Sequence, residues 1–261
     1  MQKEYIMKIF KELTALLLIF ALSVGCLASC DNMGGGQNAE EDSYIVNIDV
    51  SYATNDPKMK EAVASITENS ATLSVLGDDI RVNSKTVMDD RSFNEEYILV
   101  GGALYRSMKL VVGDYSVTSN TLAELTAENR QAILADIGIG ANISTADFKN
   151  CQHESFGEVS LYTCTDIEEN SAKSLEKIFS SGFSGMGGSV SLTGADFSAT
   201  YNGEKIMDST LSCHFAVVMN DVSYEITMHI AYTYQYTDDI TILAPEVIDD
   251  YAMVSYEEII K

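Results

Sequence analysis

The chain has 261 residues, 16 basic and 39 acidic side chains, and a formal net charge of −23. That balance excludes the basic footprint that nucleic-acid phosphates require and electrostatic docking on anionic lipid. Two prolines and no tryptophan exclude a proline-rich wall spacer, and the length suits one domain or two small ones.

Lys3, Lys8 and Lys11 precede an apolar run over residues 13–24, followed by small residues. Basic region, short apolar region and small-residue exit describe a secretory signal, and the run is short of the ~20 residues that span a membrane. Leu27-Ala28-Ser29-Cys30 resembles the lipobox of bacterial lipoproteins. In that family the cysteine thiol receives a diacylglyceryl group, and cleavage leaves it as the first residue. Cys26 fits less well, because Ser23 stands where the aliphatic residue belongs. An ordinary secretory signal with an incidental cysteine is the other reading. The expectation is a signal peptide over 1–29, lipidated Cys30 and a flexible tether over 30–43, and a single folded domain over 44–261. Two acyl chains anchor stably where one is marginal, and such a tether reaches roughly 20 Å on average. Losing three lysines and two glutamates with the signal takes the charge from −23 to −24.

Residues 44–52 alternate apolar and polar, a half-buried strand. Asp56-Pro57 supplies a cap and a first-turn proline for a helix over 57–67. Residues 71–76 and 80–87 flank Gly77-Asp78-Asp79 as one hairpin; 96–100 and 104–110 flank Gly101-Gly102 as another. Thr121 and Glu124 have capping-box spacing, predicting helix from there to Ile137 and a stop at Gly138. A hairpin follows over 148–154 and 158–165. Next come a helix over 168–179, a glycine-rich loop over 182–188, and strands over 195–201, 209–219, 222–236 and 239–243. Pro245 opens a C-terminal helix.

The long hairpin carries the most information. A two-residue turn at Asn220-Asp221 pairs Met219 with Val222, Val217 with Tyr224, Phe215 with Ile226, Cys213 with Met228 and Leu211 with Ile230. Every apolar residue meets another, so the register is strongly specified. The sheet has one wet and one dry face, and the dry face must bury on something. The helices predicted over 121–137 and 168–179 could fill it, or could leave a gap for an acyl chain among adaptable methionines and tyrosines. A filled core and a real cavity both remain open at this point.

The order of elements, with Tyr97-Ile98-Leu99-Val100-Gly101-Gly102-Ala103-Leu104-Tyr105 and Tyr234-Gln235-Tyr236-Thr237-Asp238-Asp239-Ile240-Thr241-Ile242, resembles the LolA/LppX-like fold of lipoprotein carriers and lipid-binding lipoproteins. The resemblance implies an α+β domain: a curved antiparallel sheet, a half-barrel, with helices over its concave apolar face. It implies lipid binding and no catalytic residues.

Candidate chemistry is sparse. Cys213 and His214 are adjacent in a strand and so point to opposite faces, which rules out a dyad. His214 and His229 lie diagonally on the wet face without a third metal ligand. Cys151 and Cys164 sit symmetrically about Phe156-Gly157, and a cross-hairpin disulfide is expected if the turn places them opposite. Gly138-Ile139-Gly140 is not a dinucleotide fingerprint, and Gly185-Met186-Gly187-Gly188 lacks the lysine of a phosphate loop. No enzyme, cofactor or metal site is predicted.

Two functions follow. The first is an extracytoplasmic, membrane-anchored lipoprotein that binds or shuttles a lipid or other amphiphile against Phe215, Val217, Tyr224, Ile226, Met228 and Ile230. The second is a tethered surface scaffold with a filled core that presents loops to an envelope protein partner.

Overall fold

The computed structural model describes residues 43–130, 143–180, 189–219 and 222–259. The predicted signal peptide, Cys30, the tether up to residue 42, the 182–188 loop and the Asn220-Asp221 turn lie outside these residues. So do residues 131–142.

The described chain forms one open, curved sheet of 12 strands, antiparallel except for its last pair. The strands are β1 (Tyr44–Ala53), β2 (Ile66–Leu76), β3 (Asp79–Met88), β4 (Arg91–Val100), β5 (Ala103–Val112) and β6 (Tyr115–Glu124). They continue as β7 (Phe148–Phe156), β8 (Val159–Ile167), β9 (Ser189–Asn202), β10 (Lys205–Met219), β11 (Val222–Tyr236) and β12 (Ala252–Met253). Their order across the sheet is β12-β6-β5-β4-β3-β2-β1-β11-β10-β9-β8-β7. The first and last long strands of the chain therefore meet in the middle, with β1 against β11 from Tyr44↔Tyr236 to Ala53↔Thr227. The helices are α1 (Pro57–Ala64), α2 (Glu169–Ser180) and α3 (Tyr256–Ile259).

Alternation in the sequence sets the core. Val46, Ile48 and Val50 of β1, Leu73 of β2 and Val82 of β3 share one face with the odd-numbered positions of β10 and the even-numbered positions of β11. Phe148 and Phe197 stack at 5.8 Å, and Leu175 of α2, fully buried, belongs to the same cluster. Met59 of α1 enters the same cluster. Among the described residues, Met59 of α1 and Leu175 of α2 are the helical side chains buried in this cluster, and the sheet around it is open and curved.

The predicted register of the β10–β11 hairpin is the observed one at all five pairs. Other expectations need correction. The segment at 121–124 is not helical. It closes β6, where Leu122 and Ala123 are buried on opposite faces and pair with Tyr105 and Leu104 of β5. Ladder bonds and two-sided burial outweigh a three-residue capping pattern. Helix begins at 127–130, and Thr126 Oγ1 accepts from Asn129 N at 3.1 Å. The first helix ends at Ala64 and not at 67, because the β-branched pair Ile66-Thr67 already runs in β2. Residues 239–243 form no strand, and no helix starts at Pro245. Ile240, Ile242 and Ala244 pack instead as an irregular strap. The helical cover expected over the concave face is thus minor among the described residues.

That strap clasps one end of the sheet. Ile242 is buried against Ile98, Tyr105 and Leu122 on the polar side. Then β12 pairs parallel to Thr121 and Leu122 at the edge. Beyond it, α3 places Ile259 against Leu99, Leu104 and Ala123 on the apolar side.

Candidate functional site

The proposed ligand-binding residues Phe215, Val217, Tyr224, Ile226, Met228 and Ile230 all lie on one face, as their parity requires, and none is more than 7 % exposed. Val190, Ala195, Phe197 and Ala199 flank β10, and Val46, Ile48 and Val50 flank β11. Cys213 is enclosed in the same layer, and burial pushes its thiol up to about 12. At neutral pH it is a protonated, unreactive core side chain.

The cavities lie elsewhere. One of about 610 Å³ is lined mainly by polar-face side chains, among them Asp49, Ser51, Ser70, Thr210, Ser212 and His229. A second, of about 360 Å³, continues across β2–β5 over Thr72, Asn83, Lys85, Asn94 and Glu96. In the first, Ser212 Oγ lies 2.8 Å from His229 Nδ1. That is the spacing of a nucleophile and its base. Yet Ser212 and His229 sit in strands paired on both sides, so the backbone N–H groups around them are taken up by the ladder. His214 is held between Thr227 Oγ1 at 3.1 Å and Asp196 Oδ2 at 3.2 Å, on an open stretch of sheet. Among the described residues no group of three or more His, Cys, Asp or Glu side chains could hold a metal ion.

Cys151 and Cys164 face each other across β7–β8 and are joined in a disulfide. The turn at 157–158 does place them opposite, because Gly157 adopts a φ of +71° that side-chain-bearing residues rarely reach. His153 stacks on Tyr162 at 4.6 Å.

Two polar networks escaped the sequence reading. Glu95 is buried on the apolar face of β4, where its Oε1 accepts from Arg106 Nε at 2.8 Å and Tyr97 Oη at 2.7 Å. Arg106 also donates through Nη1 to the Ile259 carbonyl at 2.8 Å, fastening α3. Farther along the same face, Asn69 donates to Tyr52 Oη at 2.9 Å and accepts from Thr86 Oγ1 at 3.3 Å. Burial of the Tyr52 hydroxyl raises its pKa above the usual tyrosine value. The available signal was parity: Glu95 shares its face with Tyr97 and Leu99, and Arg106 with Leu104.

The apolar face also has an uncovered end. Leu110 and Val112 of β5 stand opposite Val117 and Tyr115 of β6. Val117 is 67 % and Tyr115 82 % exposed. This rim lies at the opposite end of the strands from Tyr44, where the described chain begins, and from the clasp.

No protein-family pattern matches this chain, and no curated protein is similar to it. Two solved structures show a distant likeness. The ywiB protein from Bacillus subtilis is 9% identical, with 74% of this chain and 92% of that one covered, at a TM-score of 0.19. The dehydratase domain of the polyketide PpsC from Mycobacterium tuberculosis is 8% identical, with 85% and 84% covered, at 0.17. At such scores neither overlap carries an argument about fold or activity. No described helix is long and apolar enough to cross a membrane.

Proposed function

We propose that this protein is an extracytoplasmic lipoprotein, anchored through Cys30, whose domain is a rigid scaffold that presents its surface to a protein partner. The observation that carries this reading is the packing of the dry face. The residues that would line an amphiphile groove are core residues, with Phe215 and Ile230 at most 1 % exposed. The Cys151–Cys164 disulfide supports an oxidising location. The N-terminal signal pattern and Leu27-Ala28-Ser29-Cys30 support the anchor. The open curved sheet is in keeping with a LolA/LppX-like half-barrel, and the minor helical cover departs from it. Since the chain enters the sheet at Tyr44, the tether would hold the uncovered rim of β5 and β6 away from the membrane.

A carrier of lipid or another amphiphile is the second reading. The exposure of Leu110, Val112, Tyr115 and Val117 on the apolar face favours it, though at a different place from the β10–β11 groove.

The anchor is tested by metabolic labelling with a clickable fatty acid. Labelling and membrane fractionation are expected for the parent and lost in Cys30→Ser. A Cys30→Ser protein that still carries label, or a parent that carries none, would remove the anchored reading.

A further inference from the structure

We infer that the two cavities of the polar face form one trough for a short peptide with free ends, its ammonium at Asp49 and its carboxylate at Lys109. The inference adds a ligand to the scaffold reading, rests on the fold alone and does not depend on the anchor.

The strand register lays the trough out. Asp49, Ser70, Lys85, Asn94 and Lys109 stand opposite one another on five neighbouring strands, β1 to β5. They therefore form a single row on one face. Asp49 lines the cavity of about 610 Å³, Lys109 lines the cavity of about 360 Å³, and Ser70 lines both. Four strand spacings of ~4.8 Å set the ends of the row about 19 Å apart along the sheet.

Charge and hydrogen bonding identify the occupant. Between the two ends the charges neutralise each other. Lys85 Nζ lies 2.6 Å from Glu68 Oε2, and Arg81 Nη2 lies 2.6 Å from Glu96 Oε1. Glu95 is taken up by Arg106 on the other face. Among the described residues, Asp49 is the lining carboxylate and Lys109 the lining ammonium without an ion-pair partner. The carboxamides of Asn83 and Asn94, in the same trough, have no hydrogen-bond partner among the described residues. A carboxamide presents both donor and acceptor, the counterpart of a peptide group. The Ser51 and Thr210 hydroxyls line the Asp49 end and add acceptors for an ammonium, which has three donors. An acyl chain would desolvate these groups without pairing them. A glycan would leave both end charges unpaired. A polyamine meets repulsion at Lys109, and a polyanion meets it at Asp49. An extended peptide advances ~3.3 Å per residue, so about six residues reach from one charge to the other.

The test titrates the full chain, in mild detergent, with the hexapeptide Gly-Ser-Gly-Ser-Gly-Ser by isothermal titration calorimetry. The free-ended peptide should bind saturably. Acetylating its amine, or amidating its carboxyl, should each weaken binding roughly three- to tenfold. Asp49→Asn should weaken the free peptide as much as acetylation does and leave the acetylated peptide unaffected. Lys109→Met should stand in the same relation to the amidated peptide. Both side chains are exposed, and circular dichroism reports that each variant is folded. If one is not, the capped peptides put the same question to the parent. Chitotetraose, an uncharged glycan, should not bind. The proposal is overturned by a free peptide that shows no saturable binding, or by capped and free peptides that bind alike. Folded variants that bind as the parent does, or chitotetraose bound in the peptide's place, overturn it equally.

Discussion

Cys213 shows how completely the middle of the molecule is closed. Its thiol ionises at about 12 in the folded state, against ~8.5 for an exposed cysteine. Between those values the unfolded chain binds fewer protons than the folded one. The contribution to stability is therefore whole below ~8.5 and is lost as the pH rises toward 12. Tyr52, raised by burial of its hydroxyl, acts in the same direction at higher pH. The unfolding free energy from urea titrations should hold steady for these groups through neutrality and fall above pH ~9, by at most about 1.4 kcal/mol per pH unit for each group. Cys213→Ala should flatten the first part of that fall. An unchanged slope in the variant would show that the thiol reaches water in the folded protein. His214 and His229 make no comparable entry into the core. They are held by Thr227, Asp196 and Ser212 on the wet face, as their parity in the strands requires.

At the scale of elements, the C-terminal clasp depends on one buried ion pair. Arg106 joins β4 to α3 by bonding both Glu95 and the Ile259 carbonyl. Arg106→Ala would leave Glu95 enclosed without a counter-charge, a loss of roughly 3–5 kcal/mol. Replacing the pair together, as Glu95→Leu with Arg106→Met, should recover much of it. Chemical denaturation of the single and double variants measures both. Equal destabilisation by the two would mean that packing, and not the unpaired charge, is what is lost. The clasp was also the least legible part of the sequence. The β10–β11 hairpin could be read residue by residue, because each apolar side chain finds an apolar partner in only one register. The symmetry of its hairpin left the Cys151–Cys164 bridge open, conditional on the turn, and the register Cys151↔Cys164 supplies the missing condition. Residues 239–251 carry no such period. Ile240 and Ile242 look like a strand locally, yet their burial comes from Ile98, Tyr105 and Leu122, more than a hundred residues away. Thr121-Leu122-Ala123-Glu124 failed for the same reason: a local capping pattern was overruled by pairing with β5.

At the scale of the whole molecule, the described residues form one open, curved sheet that residues 240–259 clasp at one end. The sequence established that one face was dry; whether it was full depended on curvature, which no local pattern encodes. In the fold, Val46, Phe197, Leu211 and Met228 belong to one buried cluster, to which the described helices add Met59 and Leu175. The scaffold account therefore stands on the burial of Phe215, Val217, Tyr224, Ile226, Met228 and Ile230. The measurement that tests this most directly is native mass spectrometry of the chain produced without its first 30 residues, before and after incubation with an envelope lipid extract. The account predicts that no mass beyond the polypeptide appears at the β10–β11 layer, so that Ile226→Met, a change of side-chain shape within the core, leaves the spectrum as it is. A non-covalent amphiphile that copurifies with the parent and is weakened by Ile226→Met in a folded protein would contradict it, and would return the dry face to the role of a carrier's groove.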